Sequence, residues 1–362
     1  MKYSLYLGRI SGIKISVHWT FLILILWIVF ANMRTGSDAK EIFWAIGFVL
    51  AIFACVILHE LGHALMAQRF KIKTREISIL PIGGVAQLES VPEKPKEELL
   101  VALAGPAVNV IIAGILYPFV SMNEDIGELQ SLSRVGPRNF MISLMSVNLW
   151  LALFNLIPAF PMDGGRVLRA LLAFNLTHAK ATNIAASVGQ VLAMVFVFFG
   201  FFTNPFLIFI GFFIFLGAQS EAIYARSKFM LQGYKVSDVS MHEIPTISYD
   251  ASVSDAASKL LNSQNKNFVV TRQGEPVGTL SRDQIIKALG ERGSNVSVHE
   301  IMDHDLVILN PDMPLEEAWQ LLQQNRKPLM LVMADRALSG VVDDENMAEF
   351  ILIQTASRKN TS

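Results

Sequence analysis

The chain has 362 residues, of which 52% are hydrophobic and 17% charged; soluble domains usually carry about 25% charged residues. A net charge of −1 gives no global basic field, which speaks against nucleic acid as a partner. The single cysteine, Cys55, rules out an intramolecular disulfide and a cysteine-based metal site.

The first residues, MKYSLYLGRISGIK, lack the basic, apolar, then small pattern of a cleaved leader. The apolar run at about residues 15–33 is therefore expected to stay in the protein as a first membrane helix, entered through His18 and the interface-suited Trp19. A second span, about 42–67, ends in His59-Glu60-Leu61-Gly62-His63, an H-E-x-x-H pattern. On a helix, histidines four residues apart project from one face and can grip a single zinc ion. Glu60 beside them is placed to take a proton from a water activated there. The five-residue pattern alone recurs by chance; here it follows residues 42–58, which contain no charge. That setting makes a hydrolytic zinc site at the end of a membrane-spanning helix the expectation to test against the rest of the chain.

Residues 69–95 carry Lys71, Lys73 and Arg75, then EISILPIGGVAQLES, with β-branched residues around Pro81, Gly83 and Gly84. This predicts a short hairpin or re-entrant loop. It reads either as a connection or as a sheet edge able to pair with an extended substrate strand. A third span, about 99–122, contains Gly105, Pro106 and Asn109; Asn109 either bonds a neighbouring helix or serves the active centre. A polar, somewhat acidic loop is expected at 123–138. The fourth span, about 140–157, breaks at Pro158 and Pro161 and leads to Asp163, Gly164 and Gly165, a tight turn before a new amphipathic segment. A carboxylate so near an apolar region calls for a cation partner, or Asp163 simply caps that segment. No charge occurs from Ala181 to Ser220; with a turn at Thr203-Asn204-Pro205 this stretch yields spans at about 183–202 and 206–224.

Six spans put both termini on one side. The loops on that side carry twelve Lys and Arg, against Arg34, Lys40, Arg134 and Arg138 opposite, so both ends are expected in the cytoplasm. His59, His63 and Asp163 then share one depth. After Arg226 the composition turns soluble and repeats with a 62-residue offset: Val236 matches Val298, Ala256 matches Ala318, Phe268-Val269-Val270 matches Met330-Leu331-Val332, and Gly278 matches Gly340. Each unit reads as strand, helix, strand, strand, helix, and two units bury their apolar faces together.

These stretches (GIKISVHW, HELGH, LAGPAVN and FNLIPAFPMDGGR) together resemble the site-2 protease family of intramembrane metalloproteases, peptidase M50. The similarity is to the branch with six membrane helices and a C-terminal pair of cystathionine-β-synthase-type (CBS) repeats. The fold it implies is a mainly α membrane protein: a six-helix protease core with a short re-entrant β hairpin, followed by a soluble α/β CBS pair. The corresponding domains are residues 1–226 for the protease, 227–235 for a linker, 236–292 and 293–355 for the repeats, and 356–362 for a disordered tail.

By that resemblance His59, His63 and Asp163 are zinc ligands, one ion per chain, and Glu60 is the general base. Asn109, Asn155, Gly83 and Gly84 help to hold substrate or stabilise the oxyanion. The implied substrates are membrane-embedded proteins, such as anti-sigma-type regulators or signal-peptide remnants, cut in regulated intramembrane proteolysis at the cell membrane. The CBS pair implies regulation by an adenine nucleotide or homodimerisation. Where the commonest ribose-binding form has an Asp, Gln284 and Asn346 stand here, with Asp283 and Asp343 nearby. A transport protein whose His, Glu and Asp line an ion path is the rival reading, and a silent membrane scaffold a third. A transporter has no need for a Glu inside a helical His pair, and a scaffold has none for the complete set.

Overall fold

The computed structural model describes residues 4–81, 83–88, 92, 94–123, 135–325, 327–335 and 337–359. The chain divides into two compact units, Met1–Ala225 and Arg226–Ser362.

The first unit begins with two strands, β1 (Ser4–Ile10) and β2 (Ile13–His18), before α1 (Thr20–Arg34). This corrects the expected helix start at residue 15. Ile13, Ile15 and Val17 alternate with Lys14, Ser16 and His18, a period of two that suits a strand with one buried face. The alternation merges with the apolar run of α1 and is hidden by it. Next come α2 (Ala39–Arg69), β3 (Thr74–Leu80) and β4 (Gly83–Leu88). Asp38 and Glu41 form a reciprocal cap that starts α2: Glu41 N–H donates to Asp38 Oδ1 at 2.7 Å and Asp38 N–H to Glu41 Oε2 at 3.3 Å.

The four strands form one sheet in the order β1-β2-β3-β4. The hairpins β1–β2 and β3–β4 are antiparallel, and β2–β3 is parallel. Ile13, Ile15, Ile77 and Ile79 from one sheet face pack with Phe21 of α1 and Leu61 and Ala64 of α2. The expected hairpin at Gly83 and Gly84 is thus the outer half of a larger sheet laid against the helix that carries His59 and His63.

The helical remainder is α3 (Pro95–Asn123), α4 (Phe140–Asn155), α5 (Asp163–Ala173), α6 (His178–Phe202) and α7 (Phe206–Leu231). Among the described residues α2, α3, α6 and α7 are long and apolar enough to cross a membrane, while α1 and α4 are apolar but shorter, at 15 and 16 residues. Of the expected polar loop at 123–138, residues 124–134 lie outside the described residues.

The second unit carries the repeat. β5 (Thr246–Ser248), α8 (Val253–Asn262), β6 (Asn267–Arg272), β7 (Glu275–Ser281) and α9 (Arg282–Glu291) form the first copy. β8 (Ile308–Leu309), α10 (Leu315–Asn325), β9 (Leu329–Ala334), β10 (Ala337–Asp343) and α11 (Asp344–Lys359) form the second. In each, a parallel pair is followed by an antiparallel pair. Val269 of the first copy is buried with Leu329, Leu331 and Val341 of the second, so the copies share a core. Residues 356–359, placed in a tail by sequence, continue α11; residues 360–362 lie outside the described residues.

Candidate metal centre

α2 delivers His59 and His63 one turn apart, and α5 delivers Asp163 as its first residue. All three are buried. Gly164 and Gly165 place Asp163 by close approach and not, as sequence predicts, by a turn. A Cβ on Gly164 would lie 2.2 Å from the Ile157 carbonyl oxygen, and one on Gly165 2.6 Å from the Phe160 nitrogen. Only glycines let α5 start this close to the preceding segment, whose Phe160–Pro161 bond is cis.

The three side chains meet tip to tip. His63 Nε2 lies 3.0 Å from Asp163 Oδ2, His59 Nε2 lies 3.2 Å from the same oxygen, and the two Nε2 atoms are 3.2 Å apart. Bonds of about 2.0–2.1 Å in a tetrahedron set neighbouring donor atoms about 3.3 Å apart, so this triangle has the size of one zinc tetrahedral face. The other ring nitrogens are engaged. His63 Nδ1–H donates to the Val101 carbonyl at 2.7 Å, and His59 Nδ1 is 3.3 Å from Asn109 Oδ1. In the tautomer that puts both N–H groups on those nitrogens, two lone pairs and a carboxylate oxygen face one another, and a cation among them relieves that repulsion. The trio is the one metal-capable group of His, Cys, Asp or Glu among the described residues.

Two glycines border the trio. A Cβ on Gly105 of α3 would sit 2.2 Å from His63 Nε2 and 2.7 Å from His59 Nε2, so the space over the imidazoles exists because that position has no side chain. A Cβ on Gly84 of β4 would sit 2.7 Å from Glu60 Cγ. The strand therefore runs directly against the half-buried Glu60. Gly83 precedes it at φ +138, in open space. β4 is terminal in the strand order, and its outer edge has no strand partner among the described residues.

Of the other residues picked out by sequence, Asn109 is fully buried beside His59. Asn155 ends α4, half-buried, and makes no side-chain hydrogen bond to the trio among the described residues. Sequence reasoning missed the part played by Val101, which acts through its backbone, and the proximity of Gly105. It also missed the buried Arg169 of α5, whose Nε and Nη2 each lie 2.6 Å from Glu98 Oε1 of α3, while Nη1 reaches Glu221 of α7. The four-residue spacing of positions 101, 105 and 109 on α3 was the available signal.

Two imidazoles and a carboxylate gathered among apolar helices, with a second carboxylate at hand, define a membrane metal-dependent hydrolase. The Peptidase family M50 profile matches residues 47–125 and 119–196, and the CBS domain profile matches 236–291 and 298–353. The chain is 32% identical over 343 residues to zinc metalloprotease MJ0392 of Methanocaldococcus jannaschii, covering 94% of each. It is 29% identical over 382 residues to Rip3 of Mycobacterium tuberculosis, covering 97% of this chain and 93% of that one. A solved structure of the site-2 protease from Methanocaldococcus jannaschii is 38% identical, with a TM-score of 0.46, over 61% of this chain and 95% of that chain. Similarity to MJ0392 across nearly all of both chains shows that this protein belongs to peptidase family M50, as a multi-pass membrane metalloprotease with a CBS pair.

Proposed function

We propose that the protein is an intramembrane zinc endopeptidase that cuts within or near the membrane segments of other membrane proteins. The observation that carries this reading is the convergence of His59 Nε2, His63 Nε2 and Asp163 Oδ2 in a triangle of zinc dimensions with Glu60 alongside.

Zinc held by this trio supplies a Lewis acid that lowers the pKa of water toward about 7 and polarises the scissile carbonyl. His59, His63 and Asp163 would hold the ion, and as three protein ligands they would leave it open to water or substrate. Glu60 takes the proton from the attacking water and passes it to the leaving nitrogen as the peptide bond breaks. A helical substrate shields its carbonyls with its own hydrogen bonds and must open first. The outer edge of β4, with Gly83 and Gly84, suits an opened segment that adds as a fifth strand and brings its backbone past Glu60. Asn155, the last residue of α4, is read as a substrate contact on the strength of the family resemblance.

In this reading α1 and α4 also cross the bilayer, giving six spans with both termini in the cytoplasm, and the enzyme serves regulated intramembrane proteolysis. The domain limits read from the sequence belong to the same proposal, except that residues 227–231 of the expected linker continue α7 and residues 356–359 of the expected tail continue α11. The CBS pair is a regulatory or dimerisation module. Gln284, at the ribose position of the first repeat, is tied up locally: its Oε1 accepts from the Ser281 backbone N–H at 2.8 Å and its Nε2 donates to the Ile301 carbonyl at 3.2 Å. That argues against Gln284 as a ribose contact in the first repeat and leaves the choice between nucleotide regulation and dimerisation to a binding measurement.

The test uses full-length protein in lipid nanodiscs with a single-span reporter. Glu60→Gln is expected to keep one zinc per chain and to lose cleavage by about 10²–10⁴-fold, while Asp163→Asn loses zinc. Equal cleavage by Glu60→Gln, or full zinc in a His59→Ala, Asp163→Asn double variant, overturns the reading.

A further inference from the structure

We infer that Asn109 is a positioning residue for the metal centre, holding His59 in the tautomer that leaves Nε2 bare; this rests on the reading of His59, His63 and Asp163 as zinc ligands. A neutral imidazole carries one N–H. Whichever nitrogen bears it cannot bind a metal, so the partner of the far nitrogen decides whether the near one is available.

The two imidazoles solve this differently. His63 Nδ1–H is taken at 2.7 Å by the Val101 carbonyl, a backbone group that no substitution removes. His59 Nδ1 faces a side chain, Asn109 Oδ1 at 3.3 Å. Val101, Gly105 and Asn109 lie four apart on α3, and His59 and His63 lie four apart on α2, so one helix face reads the other. Its first position orients His63, its middle position stays empty over both Nε2 atoms, and its last position orients His59.

Asn109 is completely buried, and its Nδ2 has no hydrogen-bond partner among the described residues. Leaving that amide unpaired carries a desolvation cost that a plain packing residue would avoid. A carbonyl oxygen is needed at this point, and Asn supplies one without adding a charge. Replacing Asn109 with an apolar residue strands the His59 N–H in a dry interior and frees the ring to turn or to shift its proton to Nε2.

The experiment measures zinc affinity of full-length protein in nanodiscs by competition with a fluorescent chelator, together with the visible spectrum of the cobalt-substituted form. Asn109→Ala is expected to weaken zinc by about 10- to 100-fold and to alter the cobalt bands. Asn109→Asp retains an acceptor oxygen in the same shape and is expected to bind near wild type. The control is Asn148→Ala. Asn148 of α4 is equally buried and touches α2 at Cys55 Sγ, 3.4 Å from its Nδ2, but makes no hydrogen bond to either imidazole among the described residues. It is expected to leave zinc affinity and spectrum unchanged. Wild-type affinity in Asn109→Ala, an equal loss in Asn148→Ala, or failure of Asn109→Asp to recover binding overturns the assignment of Asn109. A wild-type protein that takes up no zinc overturns the ligand reading itself.

Discussion

Gly105 stands so close to His63 that a methyl group on its Cα would lie 2.2 Å from Nε2, inside the space a bound ion and its ligands share. Gly105→Ala is therefore expected to abolish zinc binding although it adds one carbon and favours the helix. Gly114 of the same helix has nothing within 4 Å of a built Cβ, so Gly114→Ala should retain full zinc. Metal analysis of the two purified variants checks the contrast.

Gly84 makes the corresponding contact with Glu60. An alanine there would press on Glu60 Cγ at 2.7 Å and on Val56 Cγ1 at 3.2 Å, near the root of the acid and not its mobile end. The expected outcome for Gly84→Ala is zinc at one per chain with cleavage reduced on the order of 10²-fold, the scale on which a misplaced catalytic group is felt. Zinc content and reporter cleavage measured on the same sample separate this defect from that of Gly105→Ala.

Arg169 ties α3, α5 and α7 together from a nearly dry position, with its Cζ also 5.1 Å from the Phe160 ring centroid. Replacing it by Met leaves buried Glu98 with only the His178 imidazole, 3.6 Å away, beside it. Removing one partner of a buried pair costs about 3–5 kcal/mol. Arg169→Met should show a large fall in thermal midpoint in detergent, and adding Glu98→Gln should restore much of it. Strict additivity of the two substitutions would show that the pair is not coupled.

In the second unit Lys327 Nζ lies 2.6 Å from Asp303 Oδ2 and 3.1 Å from Asp305 Oδ2. Burial pushes the Asp303 carboxyl up, but the Lys327 ammonium and the Asp305 backbone N–H outweigh it and hold it below the usual aspartate value. A depressed folded value means that the stabilisation is complete above the unfolded value, about 3.9. It is lost as pH falls through the folded one. The melting temperature of Lys327→Met should trail wild type at pH 7, and the gap should close below about pH 4. A gap that persists undiminished at pH 3 would assign the loss to packing of the lysine stem instead.

Much of this was legible in the sequence because it rests on spacing. His59 and His63 four apart fix a shared helix face, and a gapless 62-residue offset writes the same strand order twice. The rest depends on contacts that leave no periodic trace. The β2 alternation was masked because Ile15 and Val17 run straight into the apolar α1. The oxygen that orients His63 belongs to the backbone of Val101, and a backbone oxygen has no letter in a sequence. Glu98, Arg169 and Glu221 are far apart in sequence, and nothing in their spacing shows that their helices bring them together.

The parallel pairing of β2 with β3 fixes an order of events during synthesis. Parallel neighbours need a crossover between them, and here α1 and α2 are that crossover. The β1–β2 hairpin emerges first and must wait, one side unmatched, while the chain travels out along one helix and returns along the other. The strand that completes it arrives just behind the two histidines. A nascent chain stalled before Thr74 would therefore hold the β1–β2 hairpin and the helix with His59 and His63, but not the strands that complete the sheet.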